Sequence, residues 1–277
     1  MKLHSVSLIG LLITASAILF SCHNIMNKNY GALEMDSICL NETTHLFGDT
    51  AKPACNLTVN FSYVKQAERP ELKDSLNRLF LATCLGENFQ GTDPEQALRL
   101  YAREYAREYR QDLEPTYLEE KEEDNVGAWY SYYRNLTSNV QYYENEILVY
   151  RYRYEEYTGG AHGIYTTHFL NLNLKTMKPA HLNDLFTADA DEALTDLLWN
   201  QLMADNRVAS REELEDLGYT STGELTPTEN FFLSKEGITF YYNVYEIAPY
   251  VMGPIQISLP WEMVQHLRNH TEEPNIN

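Results

Sequence analysis

Positive charge is what this sequence lacks. Its 277 residues carry 21 Lys+Arg against 40 Asp+Glu, a formal net charge of −19. A phosphate backbone needs a basic face to displace its counterions, so nucleic acid is excluded as a partner. Adhesion of the folded surface to anionic lipid is disfavoured for the same reason. Cysteine is scarce, four residues in all, and no CxxC is present, so zinc-site spacing is absent. There is no GxSxG, HExxH or paired-carboxylate signature to announce a hydrolase. After residue 22, no apolar run approaches the roughly 18 residues of a spanning helix. What is plentiful is tyrosine, 21 residues, which offers flat apolar area with a polar tip to cores and binding surfaces alike. Hydrophobic residues at 44% and charged residues at 22% are those of a globular chain of two domains or one large one.

The amino terminus reads as an export signal with a lipid anchor. Lys2 supplies the positive charge of residues 1–21, and the apolar run Val6 to Phe20, at about 15 residues, is too short to span a bilayer. It ends in Leu19-Phe20-Ser21-Cys22, which resembles a bacterial lipobox and implies a lipid on Cys22 after cleavage. The mature chain is then tethered to the membrane through that lipid. His23 to Asn29 holds no acidic cluster, which favours an outer-membrane lipoprotein facing the periplasm. In that oxidising compartment Cys39 and Cys55 are candidates to pair, while Cys84 lies on an apolar helical face.

The remaining chain reads as α+β. Residues 22–52 look like a tether, and Cys55 to Val64 alternates as a strand. A helix follows from Pro70 to a stop at Gly86. Asp93-Pro94-Glu95-Gln96 opens a second helix, whose Leu98, Tyr101, Tyr105, Tyr109 and Leu113 form a packed stripe. The acidic stretch to Asn125 is an exposed linker or a ragged helix end. Strands are expected over 129–143, 147–157 and 164–174, then a helix opened by Asp189 and a capping box at Ser210. A hairpin across Lys235-Glu236-Gly237, a strand at 255–259 and a short closing helix end the pattern. Segregated helices and hairpins predict antiparallel sheets with packed helices.

Three stretches together carry a family resemblance. They are Tyr157-Thr158-Gly159-Gly160-Ala161-His162-Gly163, Leu182-Asn183-Asp184-Leu185-Phe186, and the run from Gly237 through Asn243-Val244-Tyr245 to Ala248-Pro249-Tyr250. In this order they resemble the extracellular domain shared by RsiV-like anti-sigma factors and PdaC-like peptidoglycan deacetylases. The resemblance implies two adjoining subdomains in one compact unit, 53–155 and 156–268, with a tail at 269–277. It also implies an envelope protein that meets a peptidoglycan fragment or a basic protein such as lysozyme. It transfers no activity, because the metal-holding deacetylase module and the sigma-binding segment are not in this sequence.

Two segments are the candidate ligand-binding residues: Gly159, Gly160, His162 and Gly163 after a regular strand, and Tyr245, Pro249 and Tyr250 near the carboxyl end. Glycines admit close approach, His can donate or accept, and aromatic faces stack on sugar rings or bury in interfaces. The same residues also suit a tight strand connection and a half-buried strand. Glu155 and Glu156 adjoin, so on a strand they point to opposite faces and cannot act as a pair. The expectation is a non-catalytic binding protein without metal or cofactor; the alternative is a cell-wall hydrolase with His162 as general base.

Overall fold

A computed structural model describes residues 18–20, 29–30, 33–91, 93–120, 129–144 and 146–269. Leu33, Met35, Ser37 and Cys39 are buried and Glu34, Asp36 and Ile38 half-buried, the period-two pattern of a strand with one face well covered. This is β3 (Leu33–His45), and it corrects the expected tether over 22–52: from residue 33 onward the chain is part of the main sheet. The short β1 (Ile18–Phe20) and β2 (Asn29–Tyr30) pair along its outer edge. On its other side β4 (Ala54–Ala67) pairs antiparallel over the whole strand.

Two helices follow where the capping residues place them. α1 (Pro70–Leu85) has Pro in its first turn and ends at Gly86. α2 (Pro94–Glu120) opens on Asp93, whose Oδ1 accepts the amide protons of Glu95 at 2.9 Å and Gln96 at 3.3 Å. It continues through Pro115, so the first part of the acidic stretch is helix end, not linker. The two helices form a crossover that lays β5 (Tyr132–Glu144) parallel to β4. An all-antiparallel expectation misses this pair, because a parallel neighbour needs a long connection and 68–131 supplies one. β6 (Ile147–Tyr157), β7 (Ile164–Asn173) and β8 (Lys178–Pro179) add antiparallel strands, giving the order β1-β3-β4-β5-β6-β7-β8.

Each face of this sheet carries a core. On one side α1 and α2 pack down: Phe80 stacks on Tyr150 at 3.8 Å, and Tyr101, Tyr105 and Tyr109 are buried as the expected stripe. On the other side lies a second layer of α3 (Leu182–Leu185), α4 (Asp191–Asn206), α5 (Arg211–Asp216) and a three-stranded sheet of β9 (Phe231–Leu233), β10 (Gly237–Tyr242) and β11 (Ile255–Pro260). A short α6 (Trp261–Val264) closes it. The N-cap of α4 is Ala190, one residue after the expected Asp189, while the Ser210 cap of α5 is present. β6 joins the two cores, because Leu148 and Tyr150 lie in the first and Ile147 and Val149 in the second.

Buried and half-buried asparagines fasten the small sheet to β7. Asn171 donates to the Phe231 carbonyl at 2.7 Å and accepts from the Leu233 amide at 3.0 Å. Asn230 donates to the carbonyls of Thr167 and Tyr241, and Asn243 accepts from the Thr167 amide at 2.7 Å. A side-chain amide both donates and accepts, so these residues continue the backbone hydrogen bonding where the two sheets abut.

The cysteine expectation is corrected. In the β3–β4 register Cys39 faces Asn60 and Cys55 faces Thr44, five positions apart along the strands. That is about 17 Å at strand rise, far beyond disulfide reach. Cys55 and Cys84 are free and buried, and Cys39 is disulfide-bonded to neither. Cys22 lies outside the described residues, as do the tail residues 270–277.

Candidate functional site

β6 leads out of the core in register with β5 and β7 and then turns sharply. Gly159 and Gly160 take φ of 88° and 104°, values that a side chain strains against, and the Tyr157 hydroxyl closes the turn on the Gly160 carbonyl at 2.8 Å. Gly163 is required for space. A Cβ there would sit 2.6 Å from the Tyr133 hydroxyl and 2.9 Å from the Glu156 carbonyl. The turn leaves His162 exposed at the sheet edge.

The second segment leaves β10 through a tight loop. The Asn243 amide proton goes to Glu246 Oε2 at 2.7 Å, the Glu246 amide to the Asn243 carbonyl at 3.1 Å, and the Tyr245 amide to the Ala248 carbonyl at 3.2 Å. Tyr245 sits at φ 69°, a left-handed conformation that a non-glycine residue adopts only when its surroundings enforce it. The enforcing contact is Asn243, buried and bonded to β7 at Thr167. Pro249 then starts a single 3-10 turn, Tyr250–Met252.

The two segments meet. The His162 ring lies 4.5 Å from the Tyr250 ring, and its Nε2 lies 3.3 Å from the Tyr245 hydroxyl. Tyr245 and Tyr250 are 5.5 Å apart, and Tyr165 of β7 meets Tyr250 edge-on at 5.7 Å. His162 Nδ1 lies 2.9 Å from the Gly163 carbonyl, which can only accept. The neutral ring therefore carries its proton on Nδ1, and Nε2 accepts from Tyr245. The Arg153 guanidinium stands 4.5 Å over the Tyr165 ring, a cation–π contact at the foot of the cluster.

The result is a ledge. Tyr245 is 44% exposed and the neighbouring Val251 90%, so apolar area stands in solvent on a rigid support. Clefts of about 320, 550 and 400 Å³ lie by α1, beneath β8 and beside α3. Both ring nitrogens of His162 are engaged, and no carboxylate among the described residues orients it. Glu156 is held by Arg134 at 2.9 Å on the helix side of the sheet, while Glu155 points the other way beside Arg153. Among the described residues no group of His, Cys, Asp and Glu is placed to hold a metal.

Sequence reading found His162, Tyr245 and Tyr250, and the structure brings these three together. Gly159, Gly160 and Gly163 shape the turn. Pro249 supports from behind, with its ring toward Gly218. The reading missed Tyr165 and Arg153, and it missed the asparagines that hold the loop. Asn243 between Tyr242 and Val244, and Asn171 between Leu170 and Leu172, were visible signals, since a polar residue inside an apolar run must find a partner when buried.

Two families match different parts of the chain. Residues 183–262 match the family described as "Protein of unknown function (DUF3298)", and residues 49–165 match "Deacetylase PdaC". The ledge straddles the two, with His162 in one and Tyr245 and Tyr250 in the other. A crystal structure of a DUF3298 family member from Bacteroides fragilis is 58% identical, covers 90% of this chain and 98% of its own, and superposes with a TM-score of 0.86. A DUF3298 family protein from Pseudomonas aeruginosa, 15% identical over 88% of this chain and 96% of its own, shares the fold at a TM-score of 0.62. No curated protein matches the chain.

Proposed function

The chain belongs to the DUF3298 family and has a PdaC-like region ahead of the DUF3298 segment; from that premise we propose that it is a non-catalytic binding protein of the bacterial envelope whose ligand surface is the His162–Tyr245–Tyr250 ledge. The observation that carries this reading is the meeting of two loops, 83 residues apart at His162 and Tyr245, in an exposed aromatic cluster fixed by buried hydrogen bonds. Fixed aromatic faces bind with little ordering entropy, and sugar rings present the matching flat apolar face. A hydrolase using His162 is disfavoured because Nε2, the nitrogen a general base would use, is taken by the Tyr245 hydroxyl. Here Gly163 and Tyr245 occupy both nitrogens.

The test is titration calorimetry of the mature chain with peptidoglycan glycan strands, alongside product analysis after long incubation. Tyr250→Ala is expected to bind at least tenfold more weakly, with unchanged melting temperature, and wild type is expected to release no product. Equal binding by wild type and Tyr250→Ala contradicts the ledge, and strand cleavage lost in His162→Ala would establish the hydrolase instead. Lysozyme is the control for a basic protein partner. Its binding, weakening steeply with salt against a net charge of −19, would move the ligand class from glycan to protein.

Membrane attachment through a lipid on Cys22 completes the proposal. It is supported by Leu19-Phe20-Ser21-Cys22 and by the lack, among the described residues, of a helix long and apolar enough to cross a membrane. Cys22→Ala is expected to leave the membrane fraction, and unchanged sedimentation of that variant would refute the anchor.

A further inference from the structure

The sheet beside the ledge has an open face unlike the rest of this acidic chain. On β6, Arg151, Arg153 and Glu155 face Asn139, Thr137 and Asn135 of β5. On β4, Asn60 and Thr58 face Thr137 and Asn135 in turn. Directly paired residues share a face, so these side chains form one surface across three strands. Thr58, Thr137 and Asn139 are exposed, and Asn60, Asn135 and Arg151 half-buried. The other part of the same face is roofed by the second core, where Phe169, opposite Arg151 on β7, packs on Phe232. The loop bearing Tyr245 and Tyr250 stands at the border. Tyr165 connects the two areas, touching Tyr250 on one side and the Arg153 guanidinium on the other.

The chemistry of this face is specific. The chain has 40 Asp+Glu, yet the part of this face around Arg151 and Arg153 carries the one carboxylate Glu155, with Arg153 at 3.8 Å; Glu144 lies farther along β5, opposite Ile147. Arg151 has no ion-pair partner among the described residues. Asn60 Oδ1 is buried and accepts no hydrogen bond. Amides and hydroxyls that both donate and accept match a ligand rich in hydroxyl and amide groups, and an unpaired guanidinium matches a carboxylate. The strip from β6 to β4 is about 10 Å wide at ordinary strand spacing, room for a short run of sugar rings.

We propose that this face continues the ledge as one binding site for a glycan strand whose sugars bear acetamido and carboxylate groups. One sugar ring packs on Tyr250 and Tyr245, the Asn and Thr side chains take hydroxyl and acetamido groups, and Arg151 takes the carboxylate. The proposal rests on the glycan reading of the ledge.

The test uses the mature chain and two probes of four sugars, both free of peptide. One is a strand of alternating N-acetylglucosamine and N-acetylmuramic acid, which carries carboxylates; the other is chitotetraose, which does not. Wild type is expected to prefer the carboxylated strand by about tenfold, the worth of one charge-assisted hydrogen bond. Arg151→Gln should abolish that preference, and Arg151→Lys should keep part of it. Thr137→Asp, which adds a like charge to the face, should weaken the carboxylated strand selectively. Arg151→Gln and Thr137→Asp binding both probes as wild type does, while Tyr250→Ala loses them, would overturn this inference and leave the ledge standing. Failure of wild type to bind either probe would overturn both.

Discussion

His168 lies on β7 with its ring 5.1 Å from that of Tyr152, its neighbour across the strands. Burial disfavours the charged imidazolium and lowers the pKa from its ordinary 6.5, against a weaker upward pull from Glu246. The unfolded chain therefore takes up this proton before the folded one does. Stability falls as pH drops below about 6.5 and continues to fall until the folded ring is also protonated. His168→Gln removes this titration. Thermal melts between pH 7 and pH 5 should show a smaller loss of melting temperature in the variant than in wild type, and equal losses would mean the ring is freely solvated in the fold. Other residue-level roles follow burial more than chemistry. Cys84 sits beside the Tyr150 and Ser138 hydroxyls, and burial pushes its thiol well above the ordinary value, as it pushes Cys55 to about 11, so both are unreactive core residues.

At the scale of elements, the loop after β10 depends on one side chain. Asn243→Ala would leave the Thr167 amide buried without an acceptor, a loss of about 1–3 kcal/mol. It would also release the left-handed Tyr245 from the ledge. The expected outcome is a lower melting temperature together with weaker glycan binding; lowered stability with intact binding would show that the ledge does not need this fastening. Much at this scale was legible in the sequence. Pro70 and Gly86, the Asp93 cap, and the alternation of β6 each placed an element, because capping and period two act locally. β3 reads as a tether rather than a strand, because Asn41, Thr43 and Thr44 give its second half that look. Its alternation of Leu33, Met35, Ser37 and Cys39 was nevertheless there to read. The parallel β4–β5 pairing and the meeting of His162 with Tyr245 were beyond local signals, since both are set by how distant elements pack.

For the whole molecule, β6 is the element that joins structure to site. Its first half is buried on both faces, shared by two cores; its second half carries Arg151 and Arg153 on the open face and ends in the turn that presents His162. Chain segments matching two different families thus form one body, with the aromatic ledge where they adjoin. A rigid, exposed surface of this kind can recognise a ligand without an enclosing cleft, and its acidic surroundings keep the rest of the surface from competing for an anionic strand. The most direct test of the central claim is an NMR titration of the mature wild-type chain with peptide-free glycan strands, following the His162 ring protons and the side-chain resonances of Tyr245 and Tyr250. The account predicts saturable shifts at these three residues, with α1 and α2 unaffected. Shifts confined to other surfaces, or none at millimolar strand, would contradict it.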